Sequence, residues 1–205
     1  MAVPLLSTTS NMLGPAIHRL VEYQAAARGD ALAYIDDSCA LTYRDLNSHA
    51  NTVARALMAG GFRRGSVAAV RMPRSPQLLT TLLAILKAGG AYRWVGNDPS
   101  WPQGVSMVER PSGSEQRCLA IDLSRPLAEE PRHSPNLPIM TRGTEIACVL
   151  GDVLVPHATI SALHDRQVPG DVPWVEESGA LDLWLALMTG ATLTMMQASL
   201  HAAAA

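Results

Sequence analysis

Two helical stripes of apolar residues, each ended by a pair of glycines, constrain the fold of this chain more than any other feature. Apolar side chains recur at spacings of three and four over residues 46–58, and the glycine pair 60–61 follows. A second stripe, over residues 78–86, is apolar on most of its surface and is stopped by glycines at 89–90. A helix of this second kind must be covered by neighbours on most sides. The chain therefore needs further elements that pack around it.

Residues typical of β-strands flank both helices. Residues 31–43 contain two short β-prone runs around an Asp-Asp-Ser sequence at 36–38, which is the composition of a hairpin turn. SVAAVRM from Ser66 predicts a buried strand, and residues 91–95 predict another. The order strand, helix, strand, helix, strand favours parallel strands joined by right-handed crossovers. We therefore predict an α/β fold, a mainly parallel β-sheet flanked by helices.

Local signals predict where the two helices begin. Thr42 with Asp45 three residues later is a capping-box pattern at the start of the first helix. Ser75 followed by Pro76 predicts an N-cap with proline at the first helical position of the second.

The second half of the chain has a different character. Seven of the fourteen prolines fall within residues 99–138, which predicts an irregular section with one strand at 118–121. Beyond it the pattern predicts two strands around a Gly-Asp turn, a short helix, a last helix and a final strand, at 146–150, 153–155, 158–163, 181–188 and 191–196.

Composition excludes several classes of function. The 16 basic and 18 acidic residues give a formal charge of −2 without any run of Lys or Arg, so nucleic acid is not an expected partner. An apolar share of 48% suffices for one buried core, and we predict a single domain over residues 1–205. No stretch reaches the ~18 apolar residues of a membrane span, and the three cysteines are widely separated. A cytoplasmic protein is expected.

Two long segments resemble a known family. LTYRDLNSHANTVARAL from Leu41 and LLAILKAGGAY from Leu82 look like the first two core motifs of the adenylation domains of nonribosomal peptide synthetases, within the adenylate-forming ligase superfamily. VLVPHATISAL from Val153 resembles the stretch after the phosphate-binding loop, and LDLWLALMTGATLTMM from Leu181 resembles the helix and strand that follow the fourth motif. The resemblance spans residues 21–196 and implies the N-terminal sublobe of such a domain, truncated before the later motifs.

The resemblance implies activation of an amino acid by ATP, with release of pyrophosphate and transfer to a carrier-protein thiol. The family's phosphate loop is rich in Gly, Ser and Thr and ends in Pro-Lys-Gly, and its counterpart here is expected in TRGTEIACVLGD. Thr141, Gly143 and Thr144 would be the remnant of a degenerate loop that contains no lysine. Glu145 and Asp152 would set carboxylates against a triphosphate. We therefore expect no catalytic residue and no cofactor.

The other site candidate belongs to the fourth motif. Counting back from the Gly-Ala-Thr-Leu sequence at 190–193 places Glu177 where the family holds an Asp that pairs with the substrate amine. Glu177 would then bind an amino group, or Glu176 and Glu177 simply favour the first turn of a helix. Residues 93–97 interrupt the second motif and are expected to be a small insertion. His157 and His164 lie seven apart without a third ligand at metal spacing, so no metal site is expected.

Three hypotheses remain open at this stage. The first is a non-catalytic partner or scaffold of a synthetase, because the segments that define the fold remain recognisable while the phosphate loop is degraded. The second is residual or split amino-acid adenylation, completed by a second chain, with ATP and Mg required only in that case. The third is a relic without a role. Expected partners are a synthetase module, a carrier protein, or a second copy that covers the face left by the missing sublobe.

Overall fold

The computed structural model describes residues 14–108, 116–118, 134–164, 170–175 and 180–195. The five helices in this part of the chain are α1 (Ile17–Ala27), α2 (Tyr43–Ala59), α3 (Pro76–Lys87), α4 (His157–Ser161) and α5 (Ala180–Thr189). The strands are β1 (Leu32–Asp36), β2 (Ala40–Thr42), β3 (Val67–Arg71), β4 (Ala91–Trp94), β5 (Gly104–Val108), β6 (Gln116–Cys118), β7 (Ile146–Leu150), β8 (Val153–Pro156), β9 (Val172–Pro173) and β10 (Leu193–Met195).

The strands form two sheets. The larger has six strands in the order β6-β5-β3-β4-β7-β8, with β3, β4 and β7 parallel and the others antiparallel to their neighbours. The smaller has four strands in the order β2-β1-β10-β9, in which β10 runs parallel to both β1 and β9. The predicted α/β class is confirmed. The β1–β2 hairpin, however, pairs with the distant strand β10 and does not join β3 and β4. The chain therefore forms two sheets where chain order predicts one.

The start signals of both long helices are confirmed. Thr42 Oγ1 accepts a hydrogen bond from the Asp45 amide at 3.1 Å, and the Asp45 carboxylate accepts one from the Thr42 amide at 3.4 Å. Ser75 Oγ accepts from the Leu78 amide at 3.1 Å, with Pro76 in the first turn. The predicted hairpin turn is held by Asp36, whose carboxylate accepts from the Ser38 amide at 2.7 Å.

Helix α3 is the centre of the core, as its apolar surface predicts. All of its residues except Gln77 are buried, and α2 packs along it. The turn that follows α3 requires glycine twice. Gly89 has a φ of +78°, and a Cβ on Gly90 would lie 2.3 Å from a ring carbon of Phe62.

Two elements differ from the sequence-based expectations. Residues 104–108 were expected to be irregular, yet they form β5, antiparallel to β3 from the Val67–Val108 pair to the Arg71–Gly104 pair. Prolines around this short run obscured a strand that a neighbouring strand holds in place. The strand predicted at 118–121 is β6 at Gln116–Cys118, and residues 119–121 lie outside the described part. Within the described ranges, no helix is long and apolar enough to cross a membrane.

Candidate functional site

The connection between β7 and β8 precedes the VLVPHATISAL segment directly, where the resemblance places the phosphate loop. Leu150 and Val153 are paired across the two strands, so only Gly151 and Asp152 join them. Gly151 has a φ of +58°, and no non-glycine residue in the described part of the chain has a positive φ. This arrangement matches a two-residue type II′ turn, which requires glycine at its first central position. The connection is a tight hairpin.

The remnant residues Thr141, Gly143 and Thr144 lie on the other side of β7, in the turn that leads into it. Part of this turn is bonded within the protein. The Arg142 amide donates to the Glu145 carboxylate at 2.9 Å, and the Glu145 amide donates to the Arg142 carbonyl at 3.0 Å. Thr141 Oγ1, in contrast, is buried and has no hydrogen-bond partner among the described residues. Thr144 is exposed.

Glu145 fixes the electrostatics of this turn. Its carboxylate also binds the guanidinium of Arg64 in a two-point contact, with Arg64 Nε at 3.0 Å from Oε2. The hydrogen bond from Arg64 lowers the pKa of Glu145, and a backbone hydrogen bond from Arg142 adds to that effect. Arg64 is therefore engaged by a carboxylate of the same turn, and Glu145 stays charged at neutral pH.

The chain's single lysine is equally engaged. Lys87 is almost completely buried at the end of α3, where its ammonium donates to the carboxylate of Glu22 and, at 3.3 Å, to Oδ1 of Asn136. Burial lowers the pKa of Lys87 to about 8, although the charge of Glu22 raises it. Lys87 stabilises the contact between α1, α3 and the segment ahead of β7.

We tested whether these residues fit the triphosphate that the family binds. A phosphate cradle needs several successive backbone amides in an open concave loop, usually with a cation beside them. The β7–β8 turn offers two peptide units and the carboxylate of Asp152, and the amides of Arg142 and Glu145 in the turn before β7 are bonded internally. Neither of these two turns alone fits a triphosphate. Glu177 lies outside the described residues, so an amine-binding role for it stays a prediction.

Aromatic rings link the two sheets beyond the carboxyl end of β4. Trp174, after β9, contacts Tyr34 of β1 with ring centroids 6.4 Å apart and Trp94 of β4 at 6.5 Å. Trp94 Nε1 donates to the Met72 carbonyl at 3.0 Å, and the guanidinium of Arg74 lies 4.7 Å from the centroid of the same ring. The segment expected to be an insertion thus begins as part of β4.

Strand β8 leaves apolar side chains in solvent. Its outer edge pairs with no other strand in the described part of the chain. The exposed fractions of Leu150, Val153 and Leu154 are 38%, 63% and 48%, and β8 itself contains no charged residue. Strand β8 is short, ends in Pro156 and has a register shift in its ladder with β7, features that limit pairing with another chain. Its exposed apolar side chains are still a candidate contact surface.

A pair of buried histidines was not found by the sequence analysis. His157 at the start of α4 and His18 in α1 contact each other with ring centroids 5.9 Å apart. Their spacing of 139 positions in the chain gave no signal, whereas the nearer pair of His157 and His164 did. The described residues contain no group of three or more His, Cys, Asp or Glu that could hold a metal ion.

Comparison with known proteins places these observations in context. Residues 21–104 match the family model described as AMP-binding enzyme. The chain is 45% identical over 87 residues to tyrocidine synthase 3 of Brevibacillus parabrevis, a match covering 42% of this chain and 1% of the synthase. It is 39% identical over 117 residues to bacitracin synthase 1 of Bacillus licheniformis, covering 57% of this chain and 2% of that protein. The chain thus spans a very small part of these relatives.

Solved structures share the fold. The N-terminal subdomain of Klebsiella oxytoca NpsA, in complex with 3-hydroxyanthranilyl-AMSN, superposes with a TM-score of 0.69 at 22% identity, covering 88% of this chain and 53% of that one. An artificially fused adenylation-PCP di-domain, NpsA-ThdA from the same organism, superposes with a TM-score of 0.71 at 22% identity, covering 89% and 40%. At this identity the likeness establishes the fold alone.

Proposed function

We propose that this chain, whose residues 21–104 match the AMP-binding enzyme model and whose fold is that of the N-terminal subdomain of an adenylation domain, is a non-catalytic partner of a nonribosomal peptide synthetase. In this role it binds a synthetase module or its carrier protein and does not adenylate an amino acid by itself. ATP and Mg are not its cofactors.

The length of the β7–β8 connection carries this proposal. Leu150 and Val153 form a cross-strand pair, and this leaves two residues where a phosphate cradle requires several free amides. The carboxylate of Asp152 adds a negative charge at the point where a triphosphate would approach. Phosphate binding there would require the β7–β8 hairpin to open and a cation to neutralise the carboxylate of Asp152.

The engagement of two nearby cations supports the same proposal. The single lysine is buried in its contact with Glu22, and Arg64 is held by Glu145. Releasing Arg64 toward a nucleotide would leave Glu145 without its counter-charge, and releasing Lys87 would remove one of the two cations that bind the buried carboxylate of Glu22. The second loss is strongly unfavourable, because that carboxylate is buried. The known parts of the site therefore favour structural roles over nucleotide binding.

The edge of β8 supports a binding role. An extended segment of a partner could add to this edge by main-chain hydrogen bonds while Val153 and Leu154 contact its side chains. The carrier domain fused to an adenylation domain in NpsA-ThdA is an example of the class of partner that we propose.

The test compares the full chain alone with the chain mixed with the synthetase of its host. We expect no ATP binding by calorimetry, no amino-acid-dependent exchange between ATP and pyrophosphate above that of the synthetase alone, and a complex of defined stoichiometry in size-exclusion chromatography. ATP binding by the isolated chain with micromolar affinity would overturn the proposal. Exchange that arises only in the mixture would favour split adenylation, in which this chain completes the site of another.

A further inference from the structure

Helix α1 begins without a capping side chain of its own. Its N-cap residue is Ala16, which offers no acceptor, and its first turn contains no acidic residue. The first amides of a helix lack partners within the helix and need acceptors from elsewhere. Here the Ile17 amide donates to Nδ1 of His157, 140 positions away, at 3.2 Å in the buried interior. The ring of His157 therefore acts as the N-cap of a helix to which it does not belong.

This cap works only while the imidazole is neutral. In the neutral ring one nitrogen accepts and the other carries the proton, whereas both nitrogens donate in the charged ring. Because Nδ1 accepts from Ile17, the proton of His157 is on Nε2. That atom is buried and has no hydrogen-bond partner, and the same is true of Nδ1 of His18, whose ring contacts His157. These two nitrogen atoms therefore have no hydrogen-bond acceptor for an added proton within the described part of the chain.

The charged groups around the two histidines have opposite effects on protonation of the rings. Arg19 in α1 and Lys87 in α3 disfavour a positive charge on His18. Glu145, ahead of β7, favours one on His157. Glu22 of α1 is already bound to Lys87 and Arg19. Of the elements packed on α4, helix α5 has a single acidic residue, Asp182, and β8 has no ionisable side chain.

Burial affects the pKa of both histidines more than these charges do. It lowers the pKa of His157 to about 4, against the opposing effect of Glu145. It also lowers the pKa of His18 well below the ordinary range, and the charge of His157 adds to this. His18 lies in the first turn of α1, where the helix dipole disfavours a positive charge as well.

We propose that His157 is an acid-labile N-cap of α1, and that protonation of the His18–His157 pair releases the first turn of α1 from α4. The released turn exposes the two rings, which then bind protons as ordinary histidines with pKa values near 6.5. The released state thus binds more protons than the closed state, so the closed state loses stability progressively as pH falls below about 6.5. The protein needs no other group to become sensitive to mild acid at this contact.

The test follows hydrogen exchange of the Ile17 amide in the full chain, from about pH 7 to about pH 5, corrected for the intrinsic effect of pH. Losing one N-cap corresponds to about a fivefold loss of protection, and we expect at least this change in the wild-type chain. H157N presents a side-chain oxygen near the position of Nδ1 that does not titrate, so its protection should fall clearly less than in the wild-type chain, since only His18 still binds a proton on release. H157Q places its amide near the position of Nε2 and should show low protection throughout.

H164N is the matched control, because it removes a histidine of the turn after α4 and leaves the pair intact. It should retain the wild-type pH dependence. Constant protection of Ile17 in the wild-type chain, or an equal loss in H157N, would overturn the proposal. A titration of the imidazole signals of the unmodified protein by NMR keeps the test decisive if a variant does not fold. A His157 ring that titrates near 6.5 without any change at Ile17 would also contradict it.

Discussion

The single lysine of this chain has a structural role that its burial and its partners define. Lys87 lies in the LLAILKAGGAY motif and is buried against Glu22, which also accepts from Arg19 at 2.8 Å. Asn136 completes the contact, since its Oδ1 also accepts from Asn51 at 3.0 Å. A buried ammonium is tolerated only with such partners.

Substitution of Glu22 tests this contact. Glu22→Gln retains the size of the side chain and leaves Lys87 buried without a counter-charge, so we expect the free energy of unfolding to fall by about 3 kcal/mol. Urea denaturation at neutral pH measures it. Asp30→Asn is the matched control, because Asp30 is exposed and paired with Arg44 at the surface, and its loss should change stability by less than about 1 kcal/mol. Equal effects of the two substitutions would contradict a structural role for the buried pair.

Gly90 supports a second prediction at the scale of one residue. An added Cβ would meet the ring of Phe62 and, at 2.7 Å, the carbonyl oxygen of Ser66, which is backbone and cannot easily move. We expect Gly90→Ala to lower the free energy of unfolding by about 2–3 kcal/mol through overpacking. Gly61→Ala is the comparison, since nothing lies near its Cβ and only its φ of +102° is unfavourable. It should cost about 1 kcal/mol, and the reverse order would show that backbone strain dominates at this turn.

Among the elements, α2 depends on a signal that is entirely local. Its capping box joins Thr42 and Asp45, three residues apart, so the sequence predicts it without knowledge of the fold. Thr42→Ala should lower the free energy of unfolding by about 1 kcal/mol. Thr52→Ala is the control, because Thr52 lies inside the same helix and donates only to the Ser48 carbonyl at 3.3 Å. Chemical denaturation should show a change below about 0.5 kcal/mol for that variant, and a comparable loss for both would argue against the cap.

The difference between local signals and long-range contacts explains which elements could be predicted from the sequence. Helices α2 and α3 have caps and glycine stops within a few residues, and the β7–β8 hairpin has its glycine in the turn, so their sequences suffice. Strand β5 exists because β3 supplies its partners, from Val67 to Arg71, and its own sequence contains no comparable signal. The cap of α1 is likewise supplied by His157 from a distant helix. Local signals were read correctly where they exist, and long-range contacts decide the rest.

The candidate site also combines features that local sequence predicts with features that long-range contacts determine. The sequence predicts a degraded phosphate loop, because bulky residues follow Thr144 in TRGTEIACVLGD and the segment contains no lysine. It does not show that residues 141–145 and 151–152 lie on opposite sides of a strand, since alignment by composition cannot place a strand within a shortened loop. The pairing of Leu150 with Val153 makes this visible.

At the scale of the whole molecule, the arrangement of strands leaves β8 as an edge. Chain order predicts neighbours within one sheet, yet β1 pairs with β10 through contacts between Tyr34 and Leu193. Within the residues that the structure describes, the larger sheet then ends at β8, whose Val153 and Leu154 are exposed. Whatever covers this edge, a synthetase or a second copy, must contact the same two side chains.

A lysine substituted into the edge of β8 tests whether this edge contacts another chain. Lysine on an edge strand opposes pairing with another chain, so Val153→Lys should weaken both the complex with the synthetase and any concentration-dependent self-association, measured by sedimentation velocity. Met140→Lys is the matched control, since Met140 is even more exposed and lies outside the sheets. We expect at least a tenfold loss of affinity, or about 1.4 kcal/mol, for the first variant and none for the second. Unchanged association in both variants would place the contact elsewhere on the molecule. If the contact covered this edge, it would bury the lysine ammonium without a partner, and the affinity would fall.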